Sequence, residues 1–221
     1  MYLIVVGAGQ TGQTFVELAV ADSHDIVAIE VDEEKAEKAS AAYDCLVLHA
    51  DATNESTIRE AGIDQADAVV STTNVDSVNV MVMLLAREHG VANLLTVVHD
   101  REHLPIFERI GVNVIKNPKR LIAESLYHSV KYPAVGDFVE IAEGTELIEL
   151  TVTEGSPVNG MTLAKAKNEG ILPTDSLVVA VKRGEELIKP DGATVPAQSD
   201  QVTLLVDEGR IDAAISAFAA D

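Results

Sequence analysis

Cysteine, basic residues and long apolar runs are what this chain has least of. Its one cysteine, Cys45, excludes a disulfide within the chain and fits a reducing cytosol. It lies in the apolar run Cys45-Leu46-Val47-Leu48, where a packed strand position is expected. Against 36 acidic residues stand only 16 basic ones, and the formal charge of −20 repels nucleic-acid phosphates and anionic lipid. Direct binding to nucleic acid is therefore excluded, and so is direct membrane insertion, because no apolar stretch approaches a membrane span. There is no leader-like segment either, so a cytoplasmic location is expected, peripheral to any membrane and reached through a partner. The acid is spread along the whole chain and 47% of residues are hydrophobic, which marks a folded protein with a surface of the salt-adapted, halophilic kind.

What is present begins at the first residues. Tyr2-Leu3-Ile4-Val5-Val6 is a continuous apolar run, suited to a strand buried on both faces of a parallel sheet. Gly7-Ala8-Gly9-Gln10-Thr11-Gly12 follows in the pattern G-x-G-x-x-G, and Phe15, Val16, Leu18, Ala19 and Val20 then give a helix an apolar face. A second strand, Ile26 to Ile29, ends at Glu30, eighteen residues beyond Gly12. In such a unit the first glycine allows the tight turn, the second admits a phosphate to the backbone, and the third permits close helix–sheet packing. The helix N-terminus faces the anion, and the carboxylate at the end of the second strand is placed for ribose hydroxyls. An acid at that point disfavours the 2′-phosphate of NADP; NAD(H) and adenosine nucleotides remain.

Further along, Asp32 to Ala39 reads as a solvated helix, Cys45 to His49 as a third strand, and the segment from Thr53 or Asn54 to Glu60 as a short helix stopped by Gly62. Strands at Ala68–Thr72, Leu94–Val98 and Val112–Ile115 alternate with helices at Val78–Glu88 and His103–Ile110. Six strands alternating with helices make an α/β, Rossmann-type doubly wound parallel sheet, with its ligand crevice at the C-terminal strand ends where Gly9, Glu30, Asp51 and Thr72 converge. Asn117-Pro118 caps and opens another helix, which breaks at Tyr132-Pro133. The texture then changes. Strand-like segments at 146–152, 176–182, 186–189 and 201–206, a hairpin at Gly184, one short helix near 163–168 and a last one near 211–218 describe a second, smaller α+β domain. The expected division is a nucleotide domain over 1–133 and a second domain over 138–221, joined through Lys131 to Phe138.

Both halves resemble the RCK/KTN family, the TrkA and KtrA type of cytosolic regulator of potassium transport. The resemblance rests on Val5 to Gly12, Glu30-Val31-Asp32, Asp51-Ala52-Thr53 and Gly62 in the first half. In the second it rests on Glu154 to Leu163, Val179 to Gly184 and Pro190 to Val195. It implies a TrkA-N domain followed by an RCK_C (TrkA-C) domain in a subunit without catalytic residues. Such a subunit binds NAD(H) or ADP/ATP, forms homo-oligomers whose dimers assemble into a ring, and gates a membrane potassium transporter or channel. Carried over, Gly7, Ala8, Gly9, Gln10, Thr11 and Gly12 hold the phosphates and Glu30 the ribose. Asp51 and Ala52 meet the adenine region and Thr72 with Thr73 forms the far end, while Asp32, Thr53 and Asn74 complete the expected cofactor-binding set. Many relatives carry an arginine late in the fifth strand where this chain has Val97, which weighs against a triphosphate, with Arg101 just beyond as a partial substitute. Lys119 follows Pro118 where some relatives place a cation-binding glutamate, so no metal site is expected.

Two local patterns point elsewhere. His99 to His103 matches H-x-x-E-H, a zinc-hydrolase signature when it lies on one helix, but here it straddles a strand-to-helix turn. Tyr127 and Lys131 match the Tyr-x-x-x-Lys pair of short-chain dehydrogenases, yet the tyrosine falls after the sixth strand, where i, i+4 packing on a helix surface accounts for it. A NAD-dependent oxidoreductase is the rival reading of a nucleotide domain with a small companion. It requires a proton donor facing the nicotinamide, usually from the second domain. Beyond Pro133 the chain has no histidine, cysteine or tyrosine, which favours a sensor.

Overall fold

The computed structural model describes residues 1–219 of the chain, which divide into two compact units, one over Met1–Leu121 and a second that begins at Ile122. The first unit is a six-stranded, wholly parallel sheet. Its strands are β1 (Tyr2–Val6), β2 (Asp25–Glu30), β3 (Leu46–His49), β4 (Ala68–Ser71), β5 (Asn93–Val97) and β6 (Val114–Lys116). They lie in the order β3-β2-β1-β4-β5-β6. The order reverses beside β1, whose Val6 pairs with Ile29 on one side and Ser71 on the other. At such a switch point the crossover helices leave to opposite faces and open a crevice at the strand ends.

The apolar runs explain the sheet. Ile4, Val6, Val27, Ile29, Val69 and Leu94 pack one face against Ile58, Val82, Met83 and Phe107. On the other face Leu3, Val5, Ile26 and Ala68 meet Val16 and Ala19 of α1 (Gln10–Ala21). Burial on both faces is why these strands read as unbroken apolar runs and not as alternation. The remaining helices of this unit are α2 (Glu33–Ala42), α3 (Glu55–Glu60), α4 (Asp76–Glu88) and α5 (Leu104–Ile110), with a 3-10 turn at Arg101–His103. Helix α4 starts two residues before its expected start at Val78, and Asp76 and Asn79 are buried in its first turns.

Helix α6 (Pro118–Lys131) contains the division between the units. The second unit is a five-stranded antiparallel sheet. Its strands β7 (Val135–Ala142), β8 (Thr145–Thr151), β9 (Leu177–Arg183), β10 (Glu186–Ile188) and β11 (Gln201–Asp207) lie in the order β10-β9-β11-β8-β7. Ile148, Leu150, Val181, Val202 and Leu204 close its core with Ile211, Ala214 and Phe218 of α8 (Ile211–Phe218). Helix α7 (Leu163–Asn168) is capped by Thr162, whose hydroxyl accepts the Lys165 N–H at 3.2 Å. One element was not expected: β7 begins inside the segment read as a connector. It is an edge strand with most side chains in solvent, so burial imposes no apolar run on its sequence.

Candidate functional site

At the C-terminal end of β1 the chain turns at Gly7, whose φ of +93° is closed to ordinary side chains. Gly12 lies in the first turn of α1, and a Cβ there would stand 1.9 Å from the Gly7 carbonyl oxygen. Thr72, just after β4, donates its hydroxyl to that same oxygen at 2.9 Å. Gly9, the N-cap of α1, has extended backbone and open space where a side chain would project. The first-turn N–H groups of α1 therefore end at an unobstructed surface, the arrangement that binds anions at helix N-termini.

Glu30 is buried at the end of β2. Its Oε2 accepts the Ala8 N–H at 2.6 Å and its Oε1 the Asp32 N–H at 2.9 Å. Asp32 caps α2 by accepting the Lys35 N–H at 3.1 Å, a bond that leads the causes holding its carboxyl below the ordinary range. Asp51 turns the chain after β3, accepting the Thr53 N–H at 2.9 Å and the Thr53 hydroxyl at 2.7 Å.

These segments enclose a crevice of about 570 Å³. Among the expected residues, Gly7, Gly9, Gln10, Thr11, Glu30, Asp32, Asp51, Ala52, Thr72, Thr73 and Asn74 line it. Ala8, Gly12 and Thr53 stand behind the lining and shape it through the contacts above. Lys35, Val75, Val78 and Pro118 also line it, as do Val97 and His99 at the end of β5.

Sequence reasoning passed over the polar groups that hold the far wall. Asn79 is fully buried: its Oδ1 accepts the Ser71 and Thr73 hydroxyls, each at 2.7 Å, and its Nδ2 donates to the Thr73 and Val97 carbonyls, each at 3.1 Å. The buried Asp76 takes the His99 N–H at 2.9 Å, the Asp100 N–H at 2.9 Å and His103 Nδ1 at 2.8 Å, while His99 Nε2 donates to the Thr73 carbonyl at 3.1 Å. Burial works against an ionised Asp76, but the hydrogen bonds from His103, Asp100 and His99 outweigh it and leave the carboxyl below its usual range. The signal available was Asp76 and Asn79 at i, i+3 on one face of a helix whose middle, Val80 to Ala86, is apolar. The H-x-x-E-H histidines thus serve Asp76 and Thr73, and no group of three His, Cys, Asp or Glu among the described residues is arranged to hold a metal ion. Lys131 lies over the rings of Tyr127 and Tyr132, with centroid distances of 6.0 and 4.8 Å, the helix-surface packing expected of that pair.

A parallel sheet with its order reversed at a glycine turn, and a crevice bounded by a phosphate-competent helix end and an acid on the next strand, define a Rossmann-type nucleotide-binding domain. Here it is followed by a small antiparallel domain. The TrkA-N domain matches residues 3–118 and the TrkA-C domain residues 147–219, and the chain belongs to the TrkA family. It is 28% identical over 220 residues to the Trk system potassium uptake protein TrkA homolog of Methanothermobacter thermautotrophicus, covering 99% of each chain. To the homolog of Archaeoglobus fulgidus it is 28% identical over 210 residues, spanning 93% of this chain but 47% of that one. Among solved structures, the GsuK channel bound to NAD superposes with a TM-score of 0.68 at 17% identity, covering 99% of this chain and 39% of that chain. These neighbours share the RCK-domain fold. No helix among the described residues is long and apolar enough to cross a membrane.

Proposed function

We propose that this chain is a non-catalytic regulatory subunit of potassium uptake that senses an adenine nucleotide, NAD(H) or ADP/ATP, in the crevice between Gly9 and Glu30. The observation that carries the reading is the coincidence of that crevice with a near end-to-end match to a TrkA homolog. In the proposed arrangement the α1 N-terminus takes the phosphates, Glu30 and Asp32 the ribose, Asp51 and Ala52 the adenine, and Thr72 to Asn74 the distal group. Solved relatives carry the names GsuK channel bound to NAD and GsuK bound to ADP, which supports both ligand classes. The subunit forms homo-oligomers, dimers assembling into a ring, at the cytoplasmic side of a membrane potassium transporter or channel. The nucleotide domain is proposed to end near Pro133 and the RCK_C domain to begin near Phe138. Gating follows when two nucleotides favour different crevice widths, since a ligand that binds both shapes equally shifts nothing.

A dehydrogenase gains no specific support from the site. The imidazole that lines the crevice, His99, has its Nε2 engaged by the Thr73 carbonyl. Thermal unfolding with NAD, NADH, ADP and ATP in concentrated potassium chloride tests the reading. A bound ligand at about one hundred times its Kd adds about 2.7 kcal/mol of stability. A raised midpoint with at least one nucleotide, and loss of potassium uptake on deletion of the gene, are the expected results. No shift with any of the four overturns the nucleotide site.

A further inference from the structure

The far wall of the crevice is not a free loop. Thr73 to Val75 lie between the end of β4 and the start of α4, and each lines the crevice. They are tied to the segment after β5 from two directions: His99 Nε2 holds the Thr73 carbonyl, and the Asp76 carboxylate, the next residue after Val75, collects the N–H groups of His99 and Asp100. Those two donors are permanent. The remaining one is not, because His103 Nδ1, 2.8 Å from Asp76 Oδ2, belongs to an imidazole whose side chain is 43% exposed and can exchange its proton with solvent.

We propose that Asp76 and His103 are a positioning pair for the crevice wall, and that protonation of His103 tightens the wall so that nucleotide affinity is proton-linked. This rests on the nucleotide reading of the crevice. An imidazolium donating to a buried carboxylate combines a hydrogen bond with the attraction of opposite charges; loss of the proton removes the cation and leaves a neutral imidazole N–H on the same carboxylate, a weaker tie. The tie between the wall segment and the turn after β5 is then weaker, and the ligand's far half meets a less firmly held surface. The charged groups that face His103 are Asp76 from α4 and Asp100 and Glu102 from its own turn; the other titratable ring in the network is His99. All three carboxylates favour the protonated ring, with the Asp76 hydrogen bond foremost, so the transition lies above the ordinary histidine value of 6.5. Affinity therefore falls as pH rises through that transition. By linkage, bound nucleotide raises the pKa of His103 by the corresponding amount.

The test is calorimetric titration of the full chain with NADH and, separately, ADP from about pH 6 to about pH 9, in the wild type and in His103→Gln, which keeps a donor but does not titrate. The wild type is expected to bind about fivefold more weakly at the alkaline end, and the variant to be flat within about twofold. Wild-type affinity independent of pH, or an equal slope in His103→Gln, overturns the proposal while leaving the nucleotide site standing. If neither nucleotide binds at any pH, the nucleotide reading fails and the linkage with it. Independently of the variant, NMR titration of the His103 ring should move to higher pH when saturating NADH or ADP is added; an unmoved titration also overturns it.

Discussion

Oε2 of Glu30 accepts the backbone N–H of Ala8 at 2.6 Å, across 22 residues of sequence. The residue expected to meet a ribose is thus also the tie between β2 and the glycine turn. An ionised carboxylate offers about four lone-pair sites, so the two backbone N–H groups it already accepts leave capacity for ribose hydroxyls.

Replacing Glu30 by alanine should therefore have two separable effects. Loss of the ties to Ala8 and Asp32 is expected to cost about 2 kcal/mol of stability, read by chemical denaturation. Affinity for NAD and ADP alike should fall at least about tenfold, the equivalent of one lost charge-assisted hydrogen bond. Unchanged affinity for both would remove the ribose role, whatever happens to stability.

The glycines of the turn should divide by mechanism. Gly12→Ala drives a Cβ to within 1.9 Å of the Gly7 carbonyl, backbone that cannot move aside, and should destabilise by about 2 kcal/mol or more. Gly9→Val meets open space and an ordinary backbone conformation, so the protein should fold with a near-native midpoint yet fail to bind nucleotide. Normal binding by the Gly9 variant would sink the phosphate assignment; a native midpoint for Gly12→Ala would show that α1 can pull away from β1.

Much of this was legible before the fold was seen, for a physical reason. A strand buried on both faces, such as Ile4 to Val6 or Ala68 to Val70, must be apolar throughout, and a glycine turn at the end of one leaves few alternatives. Where burial stops dictating, legibility stops too. Strand β7 places Val139 and Ile141 in solvent on a sheet edge, so neither run nor alternation marks it. The anchors of the crevice wall were hidden differently. Asp76 and Asn79 belong to no motif, and their partners Val97, His99 and His103 stand 18 to 27 residues away in sequence and meet them only after the sheet assembles.

Asn79 supplies a direct measure of that hidden layer. Asn79→Ala leaves the buried Ser71 hydroxyl without its partner and takes one bond each from the Thr73 hydroxyl and the Thr73 and Val97 carbonyls, and is expected to cost about 2 kcal/mol. The exposed Asn74, on the same wall, should tolerate alanine within about 0.5 kcal/mol. Denaturation midpoints of the two variants compared side by side check the contrast; equal costs would mean that the buried network does not brace the wall.

In the second unit the corresponding anchor is Asp200, 1% exposed, whose carboxylate accepts Arg183 Nε at 2.9 Å, Arg183 Nη2 at 2.7 Å and the Ala197 N–H at 2.9 Å. The forked bond from Arg183, more than any other influence, lowers the Asp200 pKa below the ordinary 3.8. A carboxyl with a lowered folded pKa stabilises the fold above the unfolded value, and that contribution disappears as pH falls through the folded one. Asp200→Asn, which faces Arg183 with an amide donor, should thus cost about 2 kcal/mol near neutrality. The difference from wild type should persist down to the ordinary carboxylate value and shrink only in stronger acid. Hydrogen exchange at the amides of β9 and β11, which carry Arg183 and lead on from Asp200, reads the second unit separately from the first. A wild-type advantage that fades well above the ordinary carboxylate range would mean that another group, not Asp200, governs the acid response of this sheet.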